Sequence, residues 1–445
     1  MNIAAISTPS GVGGIAVLRV SGSQAIDIVH SVFKPFKAGN VLNGRKTHTL
    51  TFGQIVDPAT GEIIDEVVAS VYRAPHSFTG EDVVEVSCHG SLYIQQRLLD
   101  TILAQPGIRL AQRGEFTRRA FCNRKMDLSQ AEAVADLIAS QNAASHRLAM
   151  SQMKGSISNK LDSLRQQLLT MTSLLELELD FSEEEVEFAD RAQLLDLAGQ
   201  IDSEVTHLAS TFSTGQAIKN GIPVAIIGAP NVGKSTLLNQ LLQDDRAIVS
   251  PIQGTTRDLI EDTITIGGFL FRFIDTAGIR STTDEIEALG IERSLKAASL
   301  AQIIILLTEA NHSFPEIDVR PDQHIIKIIN KADLALSDEA SAQMLHISAL
   351  TGSGIDQLKQ QLLDLAKPEI AQGDIILTNR RHYDALNQAH ASLQNVIGAL
   401  NMQISGDLVA EDLRAVIDSL NSILGQSITS QDTLNNIFKN FCIGK

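Results

Sequence analysis

Over the first 120 or so residues, apolar positions recur mainly at every second place. GGIAVLRVSG (13–22), EIIDEVVASVYRAP (62–75) and EDVVEVSCHG (81–90) alternate apolar and polar residues between turn-forming ends, so each predicts a strand. SQAIDIVHSVF (23–33) and SLYIQQRLLDTILAQ (91–105) switch to helical spacing. Strands with helices between and after them predict an α+β domain. Gly11, Gly13 and Gly14 mark a turn where backbone must approach something closely.

From Asp127 to about Ser210 the period becomes 3.6. DLSQAEAVADLIA (127–139) predicts a helix capped by Ser129, with Glu132 in capping-box register. LDSLRQQLLTMTSLLELELDF (161–181) continues the helical pattern, and SEEEVEF (182–188) reads as a solvated helix end or connector. Helical spacing returns at 379–400 and 408–425, before a tail ending FCIGK. Between these halves the rhythm is strand then helix: IPVAIIG (222–228), LLNQLLQ (237–243), FLFRFID (269–275), SLAQIIILLT (299–308), HIIKIIN (324–330) and QMLHIS (343–348). That alternation predicts a doubly wound α/β domain inserted into a helical one. The expected segments are 1–120 (α+β), 121–215 (helical, first part), 216–375 (α/β) and 376–445 (helical, second part).

The 445 residues carry 36 Lys+Arg against 52 Asp+Glu, a formal charge of −16, with 44% apolar residues; a folded protein follows, and disordered and collagen-like classes are excluded. Four per cent aromatic residues and no Trp argue against a surface of stacked aromatics for single strands, and the acidic balance against a broad phosphate-neutralising face. Any RNA contact is therefore confined to a local patch or shared with a partner. Cys88, Cys122 and Cys442 are too far apart for a CxxC pair or a disulfide framework. The opening MNIAAISTPSGVGG has no signal-peptide pattern, and IIILL (303–307) is far too short to span a membrane, so the expected location is the cytoplasm. Cys442 stands fourth from the end, but Gly444 and Lys445 do not fit a prenylation signal.

GAPNVGKS (228–235) follows an apolar strand and opens a helix, the context a P-loop requires. Gly228 and Gly233 let backbone amides, including those of Asn231, Val232 and Thr236, turn toward phosphate; Lys234 supplies charge and Ser235 a hydroxyl for Mg²⁺. Four further signals follow in order. GTTRD (254–258) offers Thr255 and Thr256. DTAG (275–278) offers Asp275 for the metal and the backbone of Thr276, Ala277 and Gly278 for the γ-phosphate. NKAD (330–333) places Asn330, Lys331 and Asp333, whose carboxylate can accept from guanine N1–H and the 2-amino group; adenine has no such donor pair. SAL (348–350) brings the amides of Ser348, Ala349 and Leu350 for guanine O6. Together these predict a GTPase. Where Ras-like GTPases carry a water-orienting Gln after DxxG, this chain has Ile279, so the water must be oriented from elsewhere.

As a whole the chain resembles the MnmE (TrmE) family of tRNA-modification GTPases. The resemblance rests on ISTPSGVGGIAVLRVSG (6–22), SFTGEDVVEVSCHG (77–90), RGEFTRRAFCNRKMDLSQAEAVADLI (113–138), the five G motifs and FCIGK. It implies a homodimer built on folate-binding N-terminal domains, acting in a complex with the FAD-carrying flavoprotein MnmG on the wobble uridine of certain tRNAs, with neither membrane nor DNA involved. A tetrahydrofolate derivative is the implied one-carbon donor, and Arg19, Glu85, Lys125 and Lys445 match the folate contacts. Cys442 matches a near-terminal cysteine whose place in the modification chemistry is a hypothesis beside a packing role. The resemblance also implies K⁺-stimulated hydrolysis: Asn231, Ser250, Ile252 and Thr255 match the K⁺ ligands, Ser235 and Thr256 would hold Mg²⁺, and Glu287 matches the glutamate that orients the attacking water. Ser250 stands where the family commonly has Thr. Two other readings share parts of this pattern: a ribosome-assembly GTPase without modification chemistry, and a folate-dependent aminomethyl transferase with GTP only regulatory.

Overall fold

A computed structural model describes residues 1–180, 191–244, 262–274, 296–321, 323–334, 344–366, 375–427, 431–439, 441 and 444. Several predicted site residues lie outside the described residues: Ser250, Ile252, Thr255, Thr256, Asp275, Thr276, Ala277, Gly278, Glu287, Cys442 and Lys445. The expectation that Asp275, Thr276, Ala277 and Gly278 face the metal and the γ-phosphate therefore rests on the sequence motif alone.

In chain order, the N-terminal part comprises β1 (Asn2–Ile6), β2 (Ile15–Ser21), α1 (Ala25–Val32), β3 (Phe33–Pro35), β4 (Thr49–Val56), β5 (Ile63–Tyr72), β6 (Val83–His89), α2 (Leu92–Leu103), β7 (Ile108–Leu110) and α3 (Glu115–Cys122). Helices α4 (Leu128–Ala139), α5 (Ala143–Met153), α6 (Ser156–Asp180), α7 (Arg191–Ser210) and α8 (Phe212–Asn220) follow. Next come β8 (Ile222–Gly228), α9 (Lys234–Asp244), β9 (Asp262–Ile266), β10 (Phe269–Phe273), β11 (Ile303–Glu309), β12 (His324–Asn330), β13 (Leu345–His346) and α10 (Ile355–Ala366). The chain closes with α11 (Arg380–Asn401), α12 (Gly406–Leu424) and α13 (Gln431–Phe438). It divides into two compact units, Met1–Ala135 with Gln152–Gln166 and Ile417–Lys445, and Asp136–Ser151 with Gln167–Val416.

The first unit holds a seven-stranded sheet in the order β3-β4-β5-β6-β2-β1-β7, antiparallel except for the β1–β7 pair. Period-two patterning sorts its side chains between two faces. Ala16, Leu18 and Val20 of β2 and Val84 and Val86 of β6 join Ile26, Val29, Leu98 and Ile102 of α1 and α2 in one core. Ile3 and Ala5 of β1 pack with Phe116 and Phe78 on the opposite face. Arg19 and Glu85, odd-numbered among even-numbered core residues, therefore point away from α1 and α2. They also stand directly opposite each other in the β2–β6 register.

The second unit contains a six-stranded sheet, β13-β12-β11-β8-β10-β9, parallel except for β9. Its central strands are covered on both sides: Val224, Ile226, Ile303, Ile305 and Leu307 enter one core, Ala225, Ile227, Ile304 and Leu306 the other. That is why IPVAIIG and IIILL read as unbroken apolar runs rather than alternations. The sheet is of the predicted α/β kind, and α11 and α12 fall where helical spacing resumes.

One expectation is corrected. The cap of α4 is Asp127, not Ser129: Asp127 Oδ1 accepts from the Gln130 amide at 2.9 Å, and Gln130 Oε1 accepts from the Asp127 amide at 3.0 Å. The capping box thus begins two residues earlier, with Gln in place of Glu. Ser129 is buried in the first turn, where its hydroxyl meets Asp127 Oδ1 at 2.8 Å and Ser158 Oγ at 3.1 Å. Strands β1, β3, β4, β7 and β9 had no counterpart among the predicted elements. Of the cysteines, Cys88 is buried and Cys122 exposed, and both are free thiols; burial, helped by nearby Asp65, pushes the Cys88 thiol up to about 11. Among the described residues no helix is long and apolar enough to cross a membrane.

Candidate functional site

The phosphate-binding loop begins where β8 ends. Gly228 lies so close to β11 that a Cβ there would sit 2.4 Å from Leu307 O. Asn231 (φ +60°) and Gly233 (φ +92°) both take left-handed backbone, which turns successive amides to one side as an anion nest. Lys234 opens α9, so the loop also borrows the positive end of that helix, with Ser235 and Thr236 in its first turn. Lys234 Nζ donates to Gly228 O and Ala229 O, both at 2.8 Å, which holds the ammonium over the loop; burial lowers its pKa. Val232 packs into the sheet core, while Asn231 stays exposed.

NKAD and SAL meet this loop through one side chain. Asn330, at the end of β12, donates from Nδ2 to Val232 O at 2.8 Å and accepts at Oδ1 from the Ala349 amide at 2.9 Å. Both bonds are buried. A Cβ at position 233 would sit 2.3 Å from Asn330 Nδ2, so glycine there also makes room for the brace. The Ser348 hydroxyl donates to Asp333 Oδ1 at 2.5 Å and accepts from the Thr351 amide at 3.3 Å, fixing the carboxylate predicted to read guanine. Lys331, at φ +61°, forms an ion pair with Glu309 at the end of β11. The Ser348 amide donates to Ser353 O at 3.0 Å, and Leu350 is exposed beside it. The P-loop, NKAD and SAL residues, spread over some 120 positions of sequence, thus converge at the carboxyl ends of β8 and β12, the edge where open α/β sheets bind ligands.

In the first unit, Arg19 and Glu85 form an ion pair across β2 and β6: Nε to Oε1 at 2.8 Å and Nη2 to Oε1 at 2.7 Å. The guanidinium lies 5.4 Å from the Phe78 ring centre and 5.6 Å from that of Phe116. Arg19 Nη1 also reaches Gly444 O at 3.5 Å, and Ser7 Oγ donates to the same oxygen at 3.0 Å. Gly444 is thereby brought beside Arg19. A Cβ on Gly444 (φ +95°) would sit 2.3 Å from Ile6 O, so only glycine lets the tail approach β1 this closely. Lys125 Nζ donates to Pro75 O at 2.9 Å, and its stem lies against Gly80, so Lys125 and Phe78 border one loop, 75–80.

Phe78, Phe116, Ser7 and Glu309 were not among the residues singled out by sequence. Phe78 lay within a quoted segment, yet nothing local shows that its ring faces a residue 59 positions away.

Two family models match the chain: "GTP-binding protein TrmE N-terminus" over residues 2–125 and "MnmE helical domain" over 128–442. A tRNA modification GTPase MnmE of Parabacteroides distasonis is 53% identical over 461 aligned positions, covering 100% of this chain and 99% of its own length. The chain belongs to the MnmE family of tRNA modification GTPases. A second MnmE, from Flavobacterium johnsoniae, is 47% identical at 100% and 99% coverage. Among solved structures, the G domain of the T. maritima FeoB iron transporter aligns at 24% identity over 33% of this chain and 99% of that one, with a TM-score of 0.23. At that score it carries no weight; the GTPase fold of this MnmE-family chain rests on its strand order and loop geometry.

Proposed function

We propose that the chain hydrolyses GTP in a K⁺-stimulated cycle and, with the flavoprotein MnmG, installs an aminomethyl-type group at C5 of the wobble uridine of certain tRNAs. The observation that carries the GTPase half is the Asn330 brace, which ties the P-loop to the guanine-reading loop in one rigid unit. Family membership carries the tRNA half.

In this reading Asp333, held by Ser348, accepts the guanine N1–H and 2-amino donors, while Lys331, held by Glu309, flanks the base. The nest at 231–235 orients the phosphates, and Lys234 exchanges its loop carbonyls for phosphate oxygens. By the sequence motif, the backbone of Thr276, Ala277 and Gly278 would serve the γ-phosphate and Asp275 the metal. Glu287 orients the attacking water, a duty Ile279 has no polar group to perform. The residue types suit the two cations: Ser235 and Thr256 would hold Mg²⁺, and the exposed Asn231 with Ser250, Ile252 and Thr255 would hold K⁺. When bound, the ions would supply positive charge where negative charge develops in phosphoryl transfer.

Arg19, Glu85, Lys125 and Lys445 are proposed to bind the tetrahydrofolate donor. The fit is chemical: a carboxylate suits the pterin amidine edge, cations suit the glutamate tail, and the partly exposed Phe78 lies beside Arg19. If Lys445 reaches the folate, the same tail would place Cys442 beside it. Homodimerisation through the N-terminal domains, with segments 1–120, 121–215, 216–375 and 376–445 as domains, and a cytoplasmic location complete the proposal.

GTP hydrolysis in matched KCl and NaCl tests it, with Asn231→Ala as control. A K⁺-specific acceleration that the variant loses is the expected outcome. Equal rates in both salts would remove the K⁺ assignment and leave Glu287 without its context.

A further inference from the structure

A chain of net charge −16 repels a polyanion over most of its surface, so an RNA contact needs a place where that balance is locally reversed. Between Asp27 and Asp57 the sequence carries no acidic residue, and Lys34, Lys37, Arg45 and Lys46 fall in that interval. Within the first unit, the turn at 43–47 is bonded to two other cation-bearing segments.

Arg73 ties this turn to the loop that follows β5. Its Nε donates to Arg45 O at 2.9 Å, its Nη2 to Asn43 O at 2.7 Å, and its amide to Thr47 Oγ1 at 3.1 Å. Arg45 Nε donates to Thr51 Oγ1 at 3.0 Å. The same loop also holds the turn after α3: Lys125 Nζ donates to Pro75 O at 2.9 Å, and Asn123 Nδ2 to Thr79 O at 2.7 Å. Segments 43–47, 73–80 and 123–125 therefore lie side by side. The bonds made by the Arg45, Arg73 and Lys125 side chains end on carbonyl or hydroxyl oxygens, which fix each group without neutralising it. Lys46 and Arg124 are exposed, and neither has a carboxylate partner among the described residues. Of the two carboxylates that follow the loop, Glu81 pairs with Arg119 at 2.9 Å, and Asp82 Oδ1 accepts from the Ala74 amide at 2.8 Å. Five cations thus stand against Asp82.

We propose that Arg45, Lys46, Arg73, Arg124 and Lys125 form the surface on which this chain holds the phosphate backbone of its tRNA. An open row spread over three segments suits a polyanion, whereas a lone phosphate needs a cradle of converging donors. Such contacts position an RNA without reading its sequence. The inference rests on the tRNA-modification reading above and deepens it. Lys125, at one end of the row, is also among the residues proposed for the folate donor, so the row leads to the place where the target base must arrive.

The test measures tRNA binding by the full chain, saturated with GDP and Mg²⁺, by fluorescence anisotropy across about 50–200 mM salt. The variants are Lys46→Gln, Arg124→Gln and the two combined, and unchanged hydrogen exchange of peptide 67–72 checks that the sheet is intact. A control chain carries Arg380→Gln with Arg414→Gln, exposed arginines of the second unit, and so changes the net charge equally. The combined variant should bind tRNA about tenfold more weakly, and the slope of log K against log salt should flatten by about 1 for each residue removed. The control and every GDP affinity should match wild type. Wild-type tRNA affinity in the combined variant, or an equal loss in the control, overturns the proposal, as does a wild-type chain that binds no tRNA at the lowest salt. Mass spectrometry of the wobble nucleoside tests the underlying reading separately: tRNA held by the row but never modified would overturn that reading and leave the row standing.

Discussion

Replacing Asn330 with Ala separates two roles that one side chain could play. If Asn330 chiefly braces the protein, its loss is felt before any nucleotide arrives. Truncation leaves Val232 O and the Ala349 amide buried without the partners they meet at 2.8 and 2.9 Å. Each such orphan costs about 1–3 kcal/mol, so the local penalty is about 2–6 kcal/mol. Global denaturation suits this chain poorly, because multidomain unfolding is not two-state. Hydrogen exchange of the nucleotide-free protein reads the local term directly. Peptides spanning 228–238 and 345–352 should exchange about 30-fold faster or more in Asn330→Ala, the low end of that penalty. Asn330→Asp keeps an acceptor for Ala349 but sets a carboxylate against Val232 O. Its 345–352 peptide should therefore lie closer to wild type while 228–238 behaves like the alanine variant. Wild-type exchange in both peptides, with only GDP affinity reduced, would refute the brace and make Asn330 a ligand contact alone.

Two further predictions concern sites away from the nucleotide. Burial of Glu115 works to raise its pKa, but hydrogen bonds from Arg109, the Gln112 amide and Arg119 outweigh it and hold the carboxyl at about 2, against 4.5 unperturbed. Because the folded value is depressed, this stabilisation is complete above pH 4.5 and fades as pH falls toward 2. Glu115→Gln should therefore cost about 3 kcal/mol at pH 7 and progressively less below pH 4, measured as local exchange of 109–122 across that range; a pH-independent difference would count against the ion cluster. At Gly215 an added Cβ would sit 1.8 Å from Leu377 O, so Gly215→Ala must push α8 off the 376–378 segment. The Leu377 amide to Thr211 Oγ1 bond (3.0 Å) and the Gln216 bond to Thr378 O should open, at about 1–3 kcal/mol, read as faster exchange at 211–217 and 376–379; unchanged exchange would show that the contact yields freely.

How far the sequence was legible depended on whether a feature's cause was local. The P-loop could be read because a strand, a glycine-bearing turn and a helix N-terminus are contiguous, and their spacing is itself the physical requirement. The central strands of the nucleotide-binding sheet were equally visible, since burial on both faces leaves an unbroken apolar run. β1, β4 and β7 escaped for the opposite reason: NIAAI and IRL are too short to show a period, and TLTFGQIV is half exposed, so only pairing partners far along the chain make them strands. The cap of α4 was displaced by two residues because Ser129–Glu132 and Asp127–Gln130 satisfy the same rule, and only the burial of Ser129 against Ser158 decides between them. The Arg19 site shows the limit most clearly. Alternation alone could have put Arg19 and Glu85 on the face opposite the core, but their being opposite each other needs the β2–β6 register. Gly444 lies 425 residues from Arg19, and no pattern within either segment encodes that meeting. Asn330 belongs to the same class: its motif announces a base-binding loop, whereas its two buried bonds run to residues 98 and 19 positions away. Substitutions at such long-range braces should therefore disturb the protein itself, and substitutions at locally legible residues such as Lys234 chiefly the ligand.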